Sequence, residues 1–334
     1  MNVDLALGVG SGGDAAFDTF INFENVTGSN KADTLFGNTL NNLLQGLNGA
    51  DVIDGGDGND TIIGGNGGDT LTGGAGIDTL SYVGSGGVTI NLSANTATGS
   101  HATGDIISGF ENLIGSNGKD DLVGSSGANA IFGFDGADII RGGNGADTLN
   151  GGKGKDTLVY TGSALGVTVN LGANTASGGD ADGDVIFGFE NLIGSGQADT
   201  LTGSNAANVI NGAGGADRID GGGSLDTLTG GGGGDTFVLT RFQFSRDTVT
   251  DFGLGADVLE IDAAAFGAGL AAGTLDPGQF VLGTAAIDLD DRFIYDGATG
   301  NLFFDKNGLA PGGVKLIATF TNFAILDAGD FVIV

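Results

Sequence analysis

Aspartates recur every nine residues through much of this 334-residue chain. Asp51, Asp60, Asp69 and Asp78 show the rhythm most plainly, as in Gly55-Gly56-Asp57-Gly58-Asn59-Asp60-Thr61-Ile62-Ile63. A carboxylate at a fixed place in a tight, glycine-rich turn is suited to one chemistry above others, the holding of a hard cation by oxygen ligands. The composition narrows the choice further. With no Cys and a single His, disulfide scaffolds, thiolate metal sites and multi-histidine centres are excluded. Of the 41 acidic residues only Glu24, Glu111, Glu190 and Glu260 are Glu, and that skew towards the shorter carboxylate speaks for positions fixed by geometry. The formal net charge of −30 repels duplex DNA and anionic membrane surfaces, so a nucleic-acid partner is not expected.

Extended in both directions, the nine-residue frame yields three blocks: 28–81 with six copies, 115–159 with five and 194–238 with five. Position one is Gly and position eight is apolar in all sixteen copies. Position six is Asp at 33, 51, 60, 69, 78, 120, 138, 147, 156, 199, 217, 226 and 235, and Asn at Asn42, Asn129 and Asn208. Glycines at positions one, two and four permit positive φ and close backbone approach. Positions seven to nine read as a short strand with residue eight turned inward. Two copies make one coil, which stacks residue i on residue i+18 at about one strand spacing, roughly 4.8 Å. Side-by-side carboxylates at that distance repel unless a cation lies between them. Ca2+, which takes six to eight oxygen ligands including backbone carbonyls, meets the demand better than octahedral Mg2+.

The pattern resembles the repeats-in-toxin (RTX, hemolysin-type) family, whose consensus is GGxGxDxUx, over about 144 residues of the three blocks. The resemblance implies an all-β fold: a parallel β-roll, a right-handed β-solenoid of Ca2+-binding nonapeptides in three blocks. It also implies Ca2+ ligands at position six, namely Asp33, Asp51, Asp60, Asp69, Asp78, Asp120, Asp138, Asp147, Asp156, Asp199, Asp217, Asp226 and Asp235, with about seven to ten ions between i/i+18 partners. Asn42, Asn129 and Asn208 pair in the same way with Asp60, Asp147 and Asp226, but offer neutral oxygens. The second copy of each block also lacks the double glycine, so its sites are expected to be weaker or empty. Ser224 breaks the position-four glycine pattern in the turn before Asp226.

The stretches between blocks copy one another. Val88-Thr89-Ile90-Asn91-Leu92 answers Val167-Thr168-Val169-Asn170-Leu171, and Phe110-Glu111-Asn112-Leu113-Ile114 answers Phe189-Glu190-Asn191-Leu192-Ile193. Residues 1–27 match less closely. The chain therefore reads as macro-repeats over 1–81, 82–159 and 160–238, followed by a β-rich C-terminal cap over 239–334. Alternating apolar residues in the insertions predict longer solenoid coils or a local hairpin. Glu24, Glu111 and Glu190 occupy position six of a degenerate copy, eighteen residues before Asn42, Asn129 and Asn208. Two readings stay open. Either each block opens with a Glu/Asn ion site, or the Glu closes the roll by accepting turn amides.

Beyond Leu239 glycine thins and Phe thickens. Residues 247–252 and 257–262 read as strands, and Arg292-Phe293-Ile294-Tyr295 with Asn301-Leu302-Phe303-Phe304 as a hairpin around Asp296-Gly297-Ala298-Thr299-Gly300. Asp305-Lys306-Asn307-Gly308 reads as a turn. This region resembles the C-terminal domain of secreted RTX proteases. The tail Asp327-Ala328-Gly329-Asp330-Phe331-Val332-Ile333-Val334 resembles the uncleaved signal read by type I ABC-transporter export, although an ordinary final strand has the same look. With no basic-apolar leader at Met1-Asn2-Val3-Asp4 and no apolar run long enough to span a membrane, export by that route to the extracellular space is the expectation.

Catalytic motifs are missing: there is no GxSxG elbow, P-loop or HExxH, and His101 sits in a polar stretch as a solvated residue. Asp288, Asp290 and Asp291 fall outside the repeat in a loop. The expectation is a secreted, Ca2+-folded, non-enzymatic protein with a structural, cell-surface or matrix role, where a surface polysaccharide or further copies of itself are the partners to consider. The alternatives are the calcium-binding and export module of a larger enzyme or adhesin, and a polysaccharide-active enzyme.

Overall fold

Each nonapeptide has only three residues with strand character, and the middle one is always apolar. A structure built from such units must bury one side chain per repeat and gain its stability by stacking them. The computed structural model describes residues 1–239, 246–309 and 312–334. It is all-β and made of long parallel ladders, the β-roll that the repeat predicts. Two compact units divide it: Met1–Leu158 with Gly183–Phe189, and Val159–Asp182 with Glu190–Val334.

In the first unit, successive repeats alternate between two parallel ladders, so a strand pairs with the one eighteen residues on. One ladder runs Thr34–Phe36, Val52–Asp57, Thr70–Ala75, with Thr34 opposite Val52 and Val52 opposite Thr70. The other runs Asn25–Thr27, Leu43–Asn48, Thr61–Asn66, Thr79–Ser81. The position-eight residues meet between the ladders. Leu35, Leu44, Ile62, Leu71 and Leu80 are 0% exposed. Burying one such side chain contributes about 1.5–3 kcal/mol, and the column repeats it in every coil. Ile62→Ala is therefore expected to cost about 2–5 kcal/mol in a denaturant titration at saturating Ca2+. A loss under 1 kcal/mol would mean that the column is not the core.

The insertion after the first block enters one ladder only. Thr89–Asn91 and Thr96–Thr98 form an antiparallel hairpin, as the alternation predicts. Its first strand pairs in parallel with Asp121–Val123 of the next block. Its second meets Ile106–Ser108, which continues the ladder from Thr70–Ala75. The opposite ladder passes straight from Thr79–Ser81 to Asn112–Ile114, Ala130–Phe132, Thr148–Asn150 and Val185–Phe187. The N-terminal residues fold in the same manner, with Asn2–Asp4 antiparallel to Val9–Ser11 and parallel to Thr34–Phe36. So the weakest of the three sequence matches is a true structural copy.

The second unit repeats the plan. Thr168–Asn170 and Thr175–Ser177 make the hairpin, and the first of them leads a ladder through Thr200–Thr202, Arg218–Asp220, Thr236–Leu239 and Val258–Ile261. The other ladder is Asn191–Ile193, Val209–Asn211, Thr227–Thr229 and Asp247–Val249. Both ladders thus outlast the glycine repeats, through the strands expected at 247–252 and 257–262. The expected hairpin forms between Phe293–Asp296 and Asn301–Asp305, and Val314–Phe320 joins it to Asp247–Val249. Phe252, Phe320 and Tyr295 pack edge-on over the end of the roll, with centroids 5.2 and 5.9 Å apart, where a bare coil would leave apolar surface wet. The tail is folded in as well: Phe331–Ile333 pairs in parallel with Leu259–Ile261 after a turn in which Asp327 and Asp330 cap each other. Among the described residues no helix is long and apolar enough to cross a membrane.

Candidate metal centre

Stacking at i+18 brings the position-six side chains into two buried columns per unit. The amide of each donates to Oδ1 of the carboxylate one coil on: Asp33 to Asp51, Asp51 to Asp69 and Asp60 to Asp78 at 2.8 Å, and Asn42 to Asp60 at 2.7 Å. In the second block Asp120 bonds Asp138, Asp138 bonds Asp156 and Asn129 bonds Asp147, all at 2.8 Å. In the third, Asp199 bonds Asp217 and Asp217 bonds Asp235 at 2.9 Å, and Asn208 bonds Asp226 at 2.8 Å. Every partner pair drawn from the spacing is thereby adjacent. All sixteen side chains are buried.

The second carboxylate oxygen separates the copies into two kinds. In the first copy of each block a Ser at position two donates its amide to Oδ2: Ser29 to Asp33 at 2.5 Å, Ser116 to Asp120 and Ser195 to Asp199 at 2.6 Å. In the second copy, Asn38, Ser125 and Ser204 do the same for Oδ1 of Asn42, Asn129 and Asn208 at 2.7 Å. Asn129 and Asn208 also donate through Nδ2 to the carbonyls of Glu111 and Glu190 at 2.6 Å. These amides are well partnered and hold turns together.

From the third copy onward position two swings into the left-handed region. It is Gly56 and Gly65 in later copies (φ 95° and 100°), but Leu47, Phe134 and Ala213 in the third (80°, 84° and 75°). Non-glycine residues there cost roughly 1–2 kcal/mol each, so something must require the conformation. Its effect is to take the position-two amide away from the carboxylate. Oδ2 of Asp51, Asp60, Asp69, Asp78, Asp138 and Asp217 is then buried with no hydrogen-bond partner. Ser224 keeps its turn in the same region, at φ 94°, without the glycine.

Position one is glycine for a separate reason. It is the approach of the next coil that excludes a side chain there. A Cβ on Gly55 would fall within 3.0 Å of both Asp60 Oδ2 and the Gly73 carbonyl oxygen, and one on Gly133 within 3.0 Å of Asp138 Oδ2 and the Gly151 carbonyl. At Gly46, Gly55, Gly73, Gly133 and Gly212 a carboxylate oxygen and a carbonyl oxygen of the next coil therefore face one small gap. Among the described residues no three carboxylate or imidazole side chains converge, so the carbonyls must complete any coordination sphere. Burial, followed by the neighbouring carboxylates, pushes Asp78 up to about 6 and Asp138 and Asp217 up to about 7; Asp69 is raised to about 6 by burial and by Asp105. An oxygen-only set with surplus negative charge fits a hard divalent cation, Ca2+ before the softer metals.

The columns also recruit residues that the nine-residue frame does not include. Asp69 donates to Asp105 Oδ1 and Asp147 to Asp184 Oδ1 at 2.9 Å, Asp226 to Asp247 at 3.1 Å and Asp235 to Asp257 at 2.8 Å. Their signal in the sequence is faint: an Asp with an apolar residue two places on, as in Asp105-Ile106-Ile107, with a glycine turn before Asp257 alone (Gly253-Leu254-Gly255). Glu111 takes the same part towards Asp78, whose amide it accepts through Oε2 at 2.8 Å. Of the aspartates outside the frame, Asp291 is buried and accepts the amides of Ile287 and Asp288 within its own loop.

The family model for the RTX calcium-binding nonapeptide repeat matches residues 27–62, 45–80, 114–149, 132–161, 186–219 and 202–237. No curated protein matches the chain. Among solved structures it is similar to the crystal structure of the extracellular lipase LipA from Serratia marcescens, at 17% identity and a TM-score of 0.21, over 67% of this chain and 40% of the lipase. The chain thus spans less than half the length of that protein. The six matched segments merge into three that coincide with the three blocks whose aspartates form the columns, and these blocks are RTX calcium-binding nonapeptide repeats.

Proposed function

We propose that this is a secreted protein that folds into its β-roll on meeting extracellular Ca2+, and that its work is structural, at a cell surface or in a matrix, rather than catalytic. One observation carries the reading: at Asp51, Asp60, Asp78, Asp138 and Asp217, a buried carboxylate oxygen without a hydrogen-bond partner shares a gap with a backbone carbonyl of the next coil. Asp51, Asp60, Asp69, Asp78, Asp138 and Asp217 would hold the ions, with Asp147, Asp156, Asp226 and Asp235 at the equivalent places of their blocks. Bound Ca2+ supplies the positive charge that stacked, dehydrated carboxylates lack. In the low Ca2+ of the cytoplasm these side chains repel one another and keep the chain open, a form suited to passage through a type I ABC transporter. Outside, sites of about 10⁻⁴–10⁻³ M affinity fill and the coils close.

The test is far-UV circular dichroism with calorimetric Ca2+ titration of the chelator-stripped full chain. A coil-to-β transition at sub-millimolar to millimolar Ca2+ is expected. A chain fully folded in chelator that binds few ions would refute calcium-triggered folding.

A further inference from the structure

We propose that the first insertion completes a Ca2+ site of its own, made by Asp78, Glu111 and the Gly109 carbonyl, which clamps residues 103–114 onto the last coil of the first block. This rests on the reading of the inner aspartates as ligands, and places a site where the nine-residue repeat is interrupted.

At Asp51, Asp60, Asp138 and Asp217 the unpartnered Oδ2 shares a gap with the position-one carbonyl of the following coil. Asp78 is the last such residue of its block. It is 0% exposed and its Oδ2 has no hydrogen-bond partner, so the block ends on an unanswered buried charge. The next coil is not a nonapeptide, yet it supplies both missing parts. A Cβ on Gly73 would lie within 3.0 Å of the Gly109 carbonyl oxygen and of Asp78 Oδ2, the same gap as at Gly55 and Gly133. Glu111 accepts the Asp78 amide at 2.8 Å through Oε2, as an Asp does elsewhere in the column, and sets a second carboxylate over the first. Two carboxylates and a carbonyl around one buried gap form an unfavourable arrangement that a divalent cation resolves.

The other column of the same coil shows what a closed end looks like. Asp69 is followed by Asp105, but Asp105 Oδ2 accepts the Tyr82 hydroxyl at 2.9 Å. No carbonyl of the next coil comes as near as 3.3 Å to a Cβ on Gly64. A tyrosine hydroxyl there satisfies the carboxylate that the insertion adds to this column. One column is thus stopped by Tyr82, and the other runs on through Glu111.

The experiment counts bound Ca2+ on the full chain by equilibrium dialysis at saturating Ca2+, with folding followed by circular dichroism. Glu111→Gln is expected to lose about one Ca2+ per chain relative to the unaltered protein, whereas Tyr82→Phe keeps the full number. Glu111→Asp keeps the charge on a shorter arm and is expected to bind that one ion at least fivefold more weakly, which preserves the test if Glu111→Gln does not fold. If the unaltered chain folds on Ca2+ but both Glu111 variants retain its ion number and affinities, the junction site is refuted and the repeat reading stands. If the unaltered chain binds no Ca2+, both fall together.

Discussion

Calcium-dependent folding of this chain is expected to weaken sharply in acid, with the Ca2+ midpoint rising at least tenfold between about pH 7.5 and pH 5.5. The cause lies in the inner carboxyls. Burial first, then nearby carboxylates, raise Asp78 from 3.8 to about 6 and Asp138 and Asp217 to about 7, with Asp69 likewise raised to about 6 by burial and Asp105. A group whose pKa is higher folded than unfolded contributes stability in its protonated form. That contribution is complete below the unfolded value of about 4 and is lost as pH climbs through 6 to 7. In chelator, then, the chain gains β-structure as pH falls through this window, because protons neutralise the columns. In Ca2+ the same protons compete with the ion for Asp69, Asp78, Asp138 and Asp217, since a carboxylate must be ionised to serve as a ligand. Titrating Ca2+ by circular dichroism at several pH values checks both halves. A midpoint that does not move with pH would show that these carboxyls do not take part.

Much of this architecture can be read before any coordinates, because the nonapeptide is a local unit whose pairing distance is set by its own length. The inward column of Leu35, Leu44, Ile53 and Ile62, the i+18 partners and the three blocks all follow from the period. So does the continuation of strands at 247 and 257, where the apolar alternation persists beyond the last block. The finer division of sites was hidden for a physical reason. Whether Asp33 or Asp51 has a spare oxygen depends on the φ of a residue four positions earlier, Ser29 or Leu47. Nothing in the identity of leucine announces a left-handed conformation; tertiary packing imposes it. Asp105 is obscure in another way, and so is the pairing of Glu111 with Asp78. Their partners lie 36 and 33 residues back rather than eighteen, because a hairpin has been spliced into one ladder and not the other. A period reveals what repeats, and an insertion of different length in each column breaks it.

Two glycines at the same place in neighbouring repeats are expected to behave in opposite ways. Gly127 and Gly136 are both position four, in the second and third copies of the second block. Gly127 lies outside the left-handed region, and a Cβ on it would come no nearer than 4.0 Å to Ser125 Oγ. Gly136 has φ 151°, and a Cβ there would fall within 3.0 Å of both Asp138 Oδ1 and the Gly118 carbonyl oxygen. Gly127→Ala should therefore leave stability within about 0.5 kcal/mol and Ca2+ binding unchanged. Gly136→Ala combines backbone strain with overpacking and is expected to cost about 2–4 kcal/mol. It also displaces the carboxylate that bonds the Asp120 amide, so the Ca2+ midpoint of folding should rise with it. Denaturant titrations at saturating Ca2+, paired with Ca2+ titrations, measure the two effects side by side. Equal behaviour of the two variants would mean that second and third copies are built alike. The division into Ser- or Asn-capped turns and open, ion-holding turns would then be wrong. A large effect confined to Gly136 would place the boundary between them at the third copy, where Phe134 turns left-handed and Asp138 loses its last protein partner for Oδ2.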